Sequence, residues 1–83
     1  MLINLHGNNN DITIMSNQIT SIESQMKKPG KHDPKSYSRL EICTNGKGYV
    51  FEFSDDSEKA KHLHNKITSY MKTNRIEIDI DLV

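Results

Sequence analysis

The chain has a single cysteine, no tryptophan, and only two prolines and four glycines among its 83 residues. One thiol, that of Cys43, cannot form an internal disulfide, so the fold has to hold without covalent cross-links. Proteins without disulfides are typical of reducing compartments, and we therefore expect a cytoplasmic protein. A chain of this length buries only about 60 to 65% of its unfolded surface, which predicts a single domain over residues 1–83.

Long apolar runs are also missing from the sequence. No segment approaches the roughly 20 apolar residues that a membrane-spanning helix needs. The segment MLINLHGNNN at the start of the chain does not combine a basic region with the apolar run of a signal peptide. The sequence therefore predicts a protein with no membrane-bound segment and no membrane partner.

An excess of charge of either sign is absent as well, because 11 Lys and Arg residues balance 11 Asp and Glu residues. A neutral chain lacks the overall attraction that draws basic proteins to nucleic acids and to anionic membranes. The charges are nevertheless segregated, since residues 27–39 and 59–75 are basic whereas residues 40–58 and 76–83 are acidic. Contacts with a charged partner are therefore expected from particular segments.

The clearest structural signal is the segment RLEICTNGKGYVFEF, residues 39–53. Two alternating runs flank Asn45 and Gly46, a dipeptide that tolerates the two positive φ angles of a type I′ turn, so the segment predicts a two-residue hairpin. This turn sets the register of the two strands, with Ile42 opposite Tyr49. The side chains expected on the core-facing side are Leu40, Ile42, Tyr49, Phe51 and Phe53.

Alternating apolar residues predict the remaining strands. Residues 1–6 and 11–15 alternate around a Gly-Asn turn and predict a first hairpin. Residues 16 and 17 interrupt the pattern, and a strand resumes at about Thr20 after a bulge or a short turn. Residues 76–82 alternate Ile and Leu with Glu and Asp, which predicts a final strand whose row of carboxylates is typical of a sheet edge.

One amphipathic helix is predicted after the central hairpin. Asp55 as the N-cap residue puts Glu58 at the N3 position, which is the spacing of a capping box. Apolar residues then recur at intervals of three and four over about five turns, at Ala60, Leu63, Ile67, Tyr70 and Met71. These elements together predict an α+β fold, an antiparallel sheet of five to six short strands with one long amphipathic helix packed on it and the final strand after the helix.

No residue pattern indicates catalysis or a bound cofactor. His62 and His64 are two residues apart on the predicted helix and point about 200° from each other, whereas zinc-binding helices space their histidines by three or four. Cys43 has no base or orienting group in a local motif. Residues 46–48, Gly-Lys-Gly, lack the Ser or Thr and the helix start of a phosphate-binding loop. We therefore expect a protein that is not an enzyme and that holds no metal and no cofactor.

Two charged segments are the candidate partner-binding sites. Glu77, Asp79 and Asp81 are expected on one face of the final strand, about 7 Å apart, where they face a basic partner or a cation. Residues 27–38, KKPGKHDPKSYS, contain two prolines, a glycine and no aliphatic residue, and predict an exposed basic loop. The candidate contacts of this loop are Lys27, Lys28, Lys31, Lys35 and Arg39, with Tyr37 available for stacking on a base.

Several short motifs within residues 1–72 form a series. They are Asp11-Ile12-Thr13-Ile14, Ile19-Thr20-Ser21-Ile22-Glu23, Thr44-Asn45-Gly46-Lys47 with Tyr49-Val50, and a helix containing Ile67 and Tyr70. This series resembles the small bacterial and phage proteins of the FlbD type, a flagellar-locus family of uncertain biochemistry. The resemblance implies a compact β-rich domain with one helix, and it implies no active site. The chain departs from the family by the insert at residues 27–38 and by the strand after the helix.

The absence of a catalytic pattern, the segregated charges and an edge strand that a partner can extend favour a small non-enzymatic protein-binding module. By analogy, the expected role is that of an inhibitor, an immunity protein or a phage antagonist that acts on a host or partner protein. One alternative is a nucleic-acid-binding accessory protein that uses the basic loop, residues 27–39. The other is a self-associating protein whose homodimer pairs through the final strand, residues 76–83.

Overall fold

Six strands, one α-helix and one 3-10 turn make up the computed structural model, which describes all residues 1–83. The elements are β1 (Leu2–His6), β2 (Asp11–Met15), the 3-10 turn (Ser16–Gln18), β3 (Ile19–Lys27), β4 (Tyr37–Thr44), β5 (Gly48–Ser54), α1 (Lys59–Met71) and β6 (Glu77–Asp81). The α+β class and the position of the helix before the final strand are confirmed. No helix has the length and the apolarity needed to span a membrane.

The strands form two three-stranded sheets in place of the single antiparallel sheet expected from the sequence. The first sheet has the order β2-β1-β6, and the second has the order β3-β4-β5. The prediction of a wholly antiparallel arrangement is wrong because α1 returns the chain beside β1 in the same direction, so β6 and β1 are parallel. The 3-10 turn at Ser16–Gln18 separates β2 from β3 and leaves the first hairpin outside the second sheet.

The β4–β5 hairpin has the register that the sequence predicts. Ile42 lies opposite Tyr49, and Leu40 lies opposite Phe51. Leu40 and Ile42 are fully buried, whereas Tyr49, Phe51 and Phe53 are partly buried and pack against the core. The side of the hairpin that was expected to be apolar therefore faces the core.

The turn of this hairpin differs from the prediction. Neither Asn45 nor Gly46 has a positive φ, so the turn is not of type I′. Thr44 closes it, because its backbone N–H and its hydroxyl both donate to the carbonyl oxygen of Lys47, at 2.8 and 2.9 Å. The Asn-Gly dipeptide permits positive φ angles without requiring them, and the register survives the change of turn type.

One hydrophobic core lies between the inner faces of both sheets and α1. Its buried residues are Ile3, Leu5, Ile14, Leu40, Ile42, Ala60, Leu63, Ile67, Ile78, Ile80 and Leu82. The predicted helix stripe is confirmed at its first three positions, and Tyr70 packs partly buried against the core. Met71 and Ile76 are exposed, Ile76 to 84%, because the helix ends at Met71 and β6 begins only at Glu77.

The helix begins with a different cap from the one predicted. Asp56 supplies the acceptor, since its Oδ1 receives the backbone N–H of Glu58 and of Lys59 at 3.1 and 3.0 Å. Asp55 has a φ of 61° and takes no part in a capping box. The helix contains 13 residues, which is about four turns and not the five expected.

The predicted exposed loop at residues 27–38 is shorter, because Lys27 belongs to β3 and Tyr37 begins β4. Ser38, its last residue, is completely buried. The hydroxyl oxygen of Ser38 accepts a hydrogen bond from the backbone N–H of Ala60 at 3.0 Å. The first N–H groups of a helix have no partner within the helix, so Ser38 ties β4 to the amino end of α1.

Candidate functional site

The three predicted acidic residues lie exposed on β6, an edge strand of the first sheet. Ile78 and Ile80 alternate with them and are buried, so the predicted alternation is confirmed. Each carboxylate has a neighbour in β1: Glu77 lies beside Leu2, Asp79 beside Asn4, and Asp81 beside His6. Glu77, Asp79 and Asp81 therefore form a row along one edge of the outer face.

Side chains of the neighbouring strands engage two of these carboxylates. The Nδ2 of Asn4 donates to Glu77 Oε1 at 2.6 Å and to Asp79 Oδ1 at 3.2 Å. The Oδ1 of Asn4 in turn accepts the hydroxyl of Thr13 in β2, at 2.8 Å. Asp81 makes no such side-chain hydrogen bond and is exposed. The polar outer face thus links all three strands of the first sheet.

His6 lies between two carboxylates on this face. Its Nε2 is 2.9 Å from Asp79 Oδ1, and its Nδ1 is 3.3 Å from Asp11 Oδ1. These hydrogen bonds, first to Asp79 and then to Asp11, raise the pKa of His6. The hydrogen bond to His6, followed by the one from Asn4, lowers the pKa of Asp79. The arrangement favours an imidazolium ion that holds β1 to both of its neighbours.

The part that Asn4 and His6 play on this face was not predicted from the sequence. Their positions on the outer face follow from the alternation of β1, but the parallel pairing with β6 joins residues more than 70 positions apart.

No three or more His, Cys, Asp and Glu side chains come together as a set of metal ligands.

The basic loop is partly neutralised by its own acidic residue. Lys27 forms an ion pair with Asp33, which raises the pKa of Lys27 and lowers the pKa of Asp33. Asp33 also accepts the backbone N–H of Lys35 at 3.0 Å, so it organises the loop from within. Lys28 and Lys31 are exposed with no acidic partner.

The flanks of the loop differ from one another. Arg39 lies in β4 and approaches Glu41 to 3.3 Å, so its charge is already paired. Tyr37 begins β4 and is 43% exposed, which leaves its ring accessible. The backbone N–H of Asp55, just before α1, donates to the carbonyl of Ser36 at 2.9 Å and anchors the end of the loop.

The two charged segments belong to different sheets, since the basic loop joins β3 to β4 of the second sheet and the acidic strand β6 lies in the first. The basic loop joins the amino end of the helix through Ser36 and Ser38. The acidic strand β6 follows the carboxyl end. No ion pair joins the two segments, since the pairs that they form involve His6 for the acidic row and Asp33 and Glu41 for the basic residues, and they therefore form separate surfaces.

A third surface, not predicted from the sequence, is the outer edge of β3. This strand is the longest, with nine residues, and only β4 pairs with it. Its ladder is irregular only between Ile19 and Ser21. A long, regular edge strand without proline presents N–H and C=O groups with which another chain can pair.

The hairpin register identifies which backbone groups of β4 point toward β3. Bonded and non-bonded pairs alternate along an antiparallel ladder. Thr44 and Lys47 form a bonded pair at the turn, so the even-numbered residues of β4 bond toward β5. The odd-numbered residues, such as Glu41 and Cys43, therefore bond toward β3. The carbonyl of Cys43 does accept the hydroxyl of Thr20, in β3, at 3.2 Å.

The same alternation fixes the free groups of β3. Glu23 lies opposite Glu41 and Gln25 lies opposite Arg39, so the backbone groups of Glu23 and Gln25 point toward β4. Alternate residues along the strand point the other way. The free N–H and C=O groups of the outer edge belong to Ile22, Ser24 and Met26.

A groove of about 280 Å³ runs beside this edge and is lined by Ser24, Gln25, Met26 and Lys61. Met26 is 41% exposed. His64 of α1 also reaches the strand, since its Nδ1 lies 3.2 Å from the hydroxyl of Ser24. The helix side of the edge therefore combines an apolar side chain with basic ones, and no acidic residue lines the groove.

Comparison of the chain with protein-family models, with curated proteins and with solved structures finds no match. The resemblance to the FlbD type, carried by motifs such as that at residues 44–47, thus stays a prediction.

Proposed function

We propose that this chain is a small non-enzymatic protein-binding module that accepts an extended segment of a partner protein along the outer edge of β3. The observation that carries the proposal is the row of free backbone groups at Ile22, Ser24 and Met26. In strand addition to an open sheet edge, main-chain hydrogen bonds provide affinity and the neighbouring side chains provide specificity.

The side chains around the edge define the chemistry of the partner segment. Met26 offers an apolar contact on the helix side, where Lys61 supplies a positive charge. Glu23 supplies a negative charge on the opposite side of the sheet. The partner segment therefore carries an apolar residue beside Met26, an acidic residue toward Lys61 and a basic residue toward Glu23, since opposite charges across a strand pair are favourable.

Such a module acts by occupying a surface of its partner, which is the mode of action of inhibitors, immunity proteins and phage antagonists. We assign its action to the cytoplasm of a bacterial cell. The free thiol of Cys43 fits a reducing compartment, and the FlbD-type motifs are those of bacterial and phage proteins.

The other predicted surfaces give weaker support for binding. Two of the five basic candidates are held by acidic neighbours, Lys27 by Asp33 and Arg39 by Glu41. Nucleic-acid binding would then depend chiefly on the remaining lysines of the loop. Similarly, Asp79 of the acidic row is already engaged by His6.

A capture experiment with matched variants tests the proposal. The baits are the wild-type chain, Met26→Lys at the edge of β3, and Met15→Lys on β2, where the replaced side chain is similarly exposed, at 44%. A bacterial lysate is applied with and without nuclease, and the retained proteins are identified. We expect a stoichiometric protein that survives nuclease and is held by the wild type and by Met15→Lys, but not by Met26→Lys.

Two results contradict the proposal. A protein retained equally by all three baits uses another surface. Capture that disappears with nuclease, and also when Lys28, Lys31 and Lys35 are changed to Glu, supports the nucleic-acid alternative instead.

A further inference from the structure

We infer that, in the absence of a partner, the outer edge of β3 pairs with the same edge of a second copy of this chain, an inference that rests on the proposed use of that edge. Proteins usually shield an exposed edge with a proline, a bulge or an inward-pointing charge. None of these occurs between Ile22 and Met26. A second copy supplies the missing shield.

The free groups of β3 fit a twofold axis at Ser24. In an antiparallel pairing, Ser24 then lies opposite Ser24 of the second copy, and Ile22 lies opposite Met26 of the second copy. These are the residues whose backbone groups point outward. Each bonded pair exchanges two N–H···O bonds, so the three pairs form about six hydrogen bonds.

The side chains are compatible in this register. On the helix side, Ile22 meets Met26 of the second copy, which extends the apolar contact across the axis. On the other side, Glu23 meets Gln25, so no like charges face each other directly. A slip of two residues in one direction places Glu23 against Glu23. A slip in the other direction places Ile22 against Lys28, which is outside the strand.

Long-range charge does not oppose the pairing. The formal net charge of the chain is zero, so two copies do not repel each other as whole molecules. Lys61 lines the groove together with Ser24, Gln25 and Met26. In this register Met26 and Met26 of the second copy are about 14 Å apart along the strands, so charges beside these two residues are separated by more than the screening length of about 8 Å in physiological salt.

The final strand fits self-association less well than β3 does. An antiparallel pairing of two β6 strands that continues the first sheet keeps the outer faces aligned. Glu77, Asp79 and Asp81 would then face the same carboxylates of the second copy. Like charges directly opposite each other destabilise a strand pair, so residues 76–83 are the poorer homodimer contact.

Self-pairing at β3 has a consequence for partner binding. A second copy and a partner segment use the same backbone groups of Ile22, Ser24 and Met26, so they compete. The apparent affinity for the partner therefore falls as the concentration of this chain rises.

Sedimentation equilibrium of the wild-type chain, Met26→Lys and Met15→Lys tests the dimer. We expect a concentration-dependent dimer for the wild type and for Met15→Lys. Met26→Lys should raise the dimer dissociation constant on the order of 100-fold. The substitution occurs twice in a symmetric contact, and each occurrence should raise this constant about tenfold. A wild type that stays monomeric at millimolar concentration overturns the inference, as does an equal effect of the two lysine variants.

A disulfide trap tests the register. The background variant Cys43→Ser removes the natural thiol. Ser24→Cys in this background should then give a covalent dimer on mild oxidation, since the Cα atoms of a bonded pair lie about 5.5 Å apart and fit a disulfide. Ser21→Cys, which in this register lies opposite Lys27 of the second copy, should not. Equal cross-linking of the two cysteine variants overturns the Ser24 register.

The two proposals fail in different ways. A monomeric wild type whose partner capture is lost in Met26→Lys keeps the proposed function and removes the dimer. A dimer that Met26→Lys disrupts, with partner capture unaffected by the same change, keeps the dimer and removes the edge from partner binding.

Discussion

Replacing Ser38 by alanine should weaken the connection between β4 and α1. Ser38 is fully buried, and its hydroxyl is the acceptor for the backbone N–H of Ala60 at 3.0 Å. In Ser38→Ala this N–H stays in the interior without an acceptor. An unsatisfied buried donor costs about 1 to 3 kcal/mol.

This loss is large relative to the stability of so small a domain. At about 0.05 to 0.15 kcal/mol per residue, a domain of this size has a free energy of unfolding of roughly 4 to 12 kcal/mol. A destabilisation of about 2 kcal/mol should lower the Tm by roughly 8 to 16 °C. Urea unfolding followed by circular dichroism gives the free energy directly, and a thermal scan gives the Tm.

Ser54, which follows the residue opposite Ser38 in the β4–β5 ladder, provides the control for this substitution. It lies in β5, is exposed and makes no side-chain hydrogen bond, so Ser54→Ala should change the free energy of unfolding by less than about 0.5 kcal/mol. If Ser38→Ala changes the stability no more than Ser54→Ala does, the hydroxyl of Ser38 does not hold the start of the helix.

Three further predictions concern the core, the ladder and the first sheet. Ile67→Ala, at a fully buried position of α1, should destabilise the fold by about 2 to 5 kcal/mol in urea unfolding; a loss below 1 kcal/mol would mean that the helix does not seal the core. Gln25→Pro removes an N–H that points toward β4 and should lower the Tm clearly more than Met26→Pro, whose N–H points outward; equal losses would refute the assigned direction of the β3 backbone. Because the pKa of His6 is raised in the fold, protonated His6 stabilises the fold at pH values below its usual pKa of 6.5. This stabilisation is lost as the pH rises through the raised pKa. Because the pKa of Asp79 is lowered in the fold, ionised Asp79 stabilises the fold at pH values above its usual pKa of 3.8. This stabilisation is lost as the pH falls through the lowered pKa. The Tm advantage of the wild type over His6→Gln should therefore be largest between about pH 4 and 6.5 and smaller at pH 8, and an advantage that does not vary with pH would contradict the ion pairs.

Local patterns in the sequence predict the elements of this fold well. The alternation around residues 45 and 46 predicts the β4–β5 register, and the alternation of Ile78 and Ile80 with carboxylates predicts an edge strand. Both signals depend on the side-chain period of two, which a strand carries by itself. The turn type was not predicted correctly, because Asn-Gly permits positive φ angles without requiring them and neither residue adopts one.

Pairings between distant segments could not be predicted in the same way. The period of a strand does not reveal its neighbour, so the parallel pairing of β6 with β1 and the division into two sheets left no signal in the sequence. Ser38 was assigned to an exposed loop because residues 27–38 contain two prolines, a glycine and no aliphatic residue, although its hydroxyl accepts the N–H of Ala60 in a helix that begins more than 20 residues later. The free groups of β3 follow only from the ladder register, and the composition of the strand does not indicate them.

Amide hydrogen exchange of β3, measured by NMR in dilute solution with and without the captured partner, shows directly whether the partner pairs with the outer edge of this strand. In the free chain, the amides of Glu23 and Gln25 should exchange slowly because they bond to β4, and those of Ile22, Ser24 and Met26 should exchange rapidly. Saturation with the partner should slow the exchange of these three amides selectively. Partner binding that leaves Ile22, Ser24 and Met26 in rapid exchange would show that the outer edge of β3 is not the binding surface.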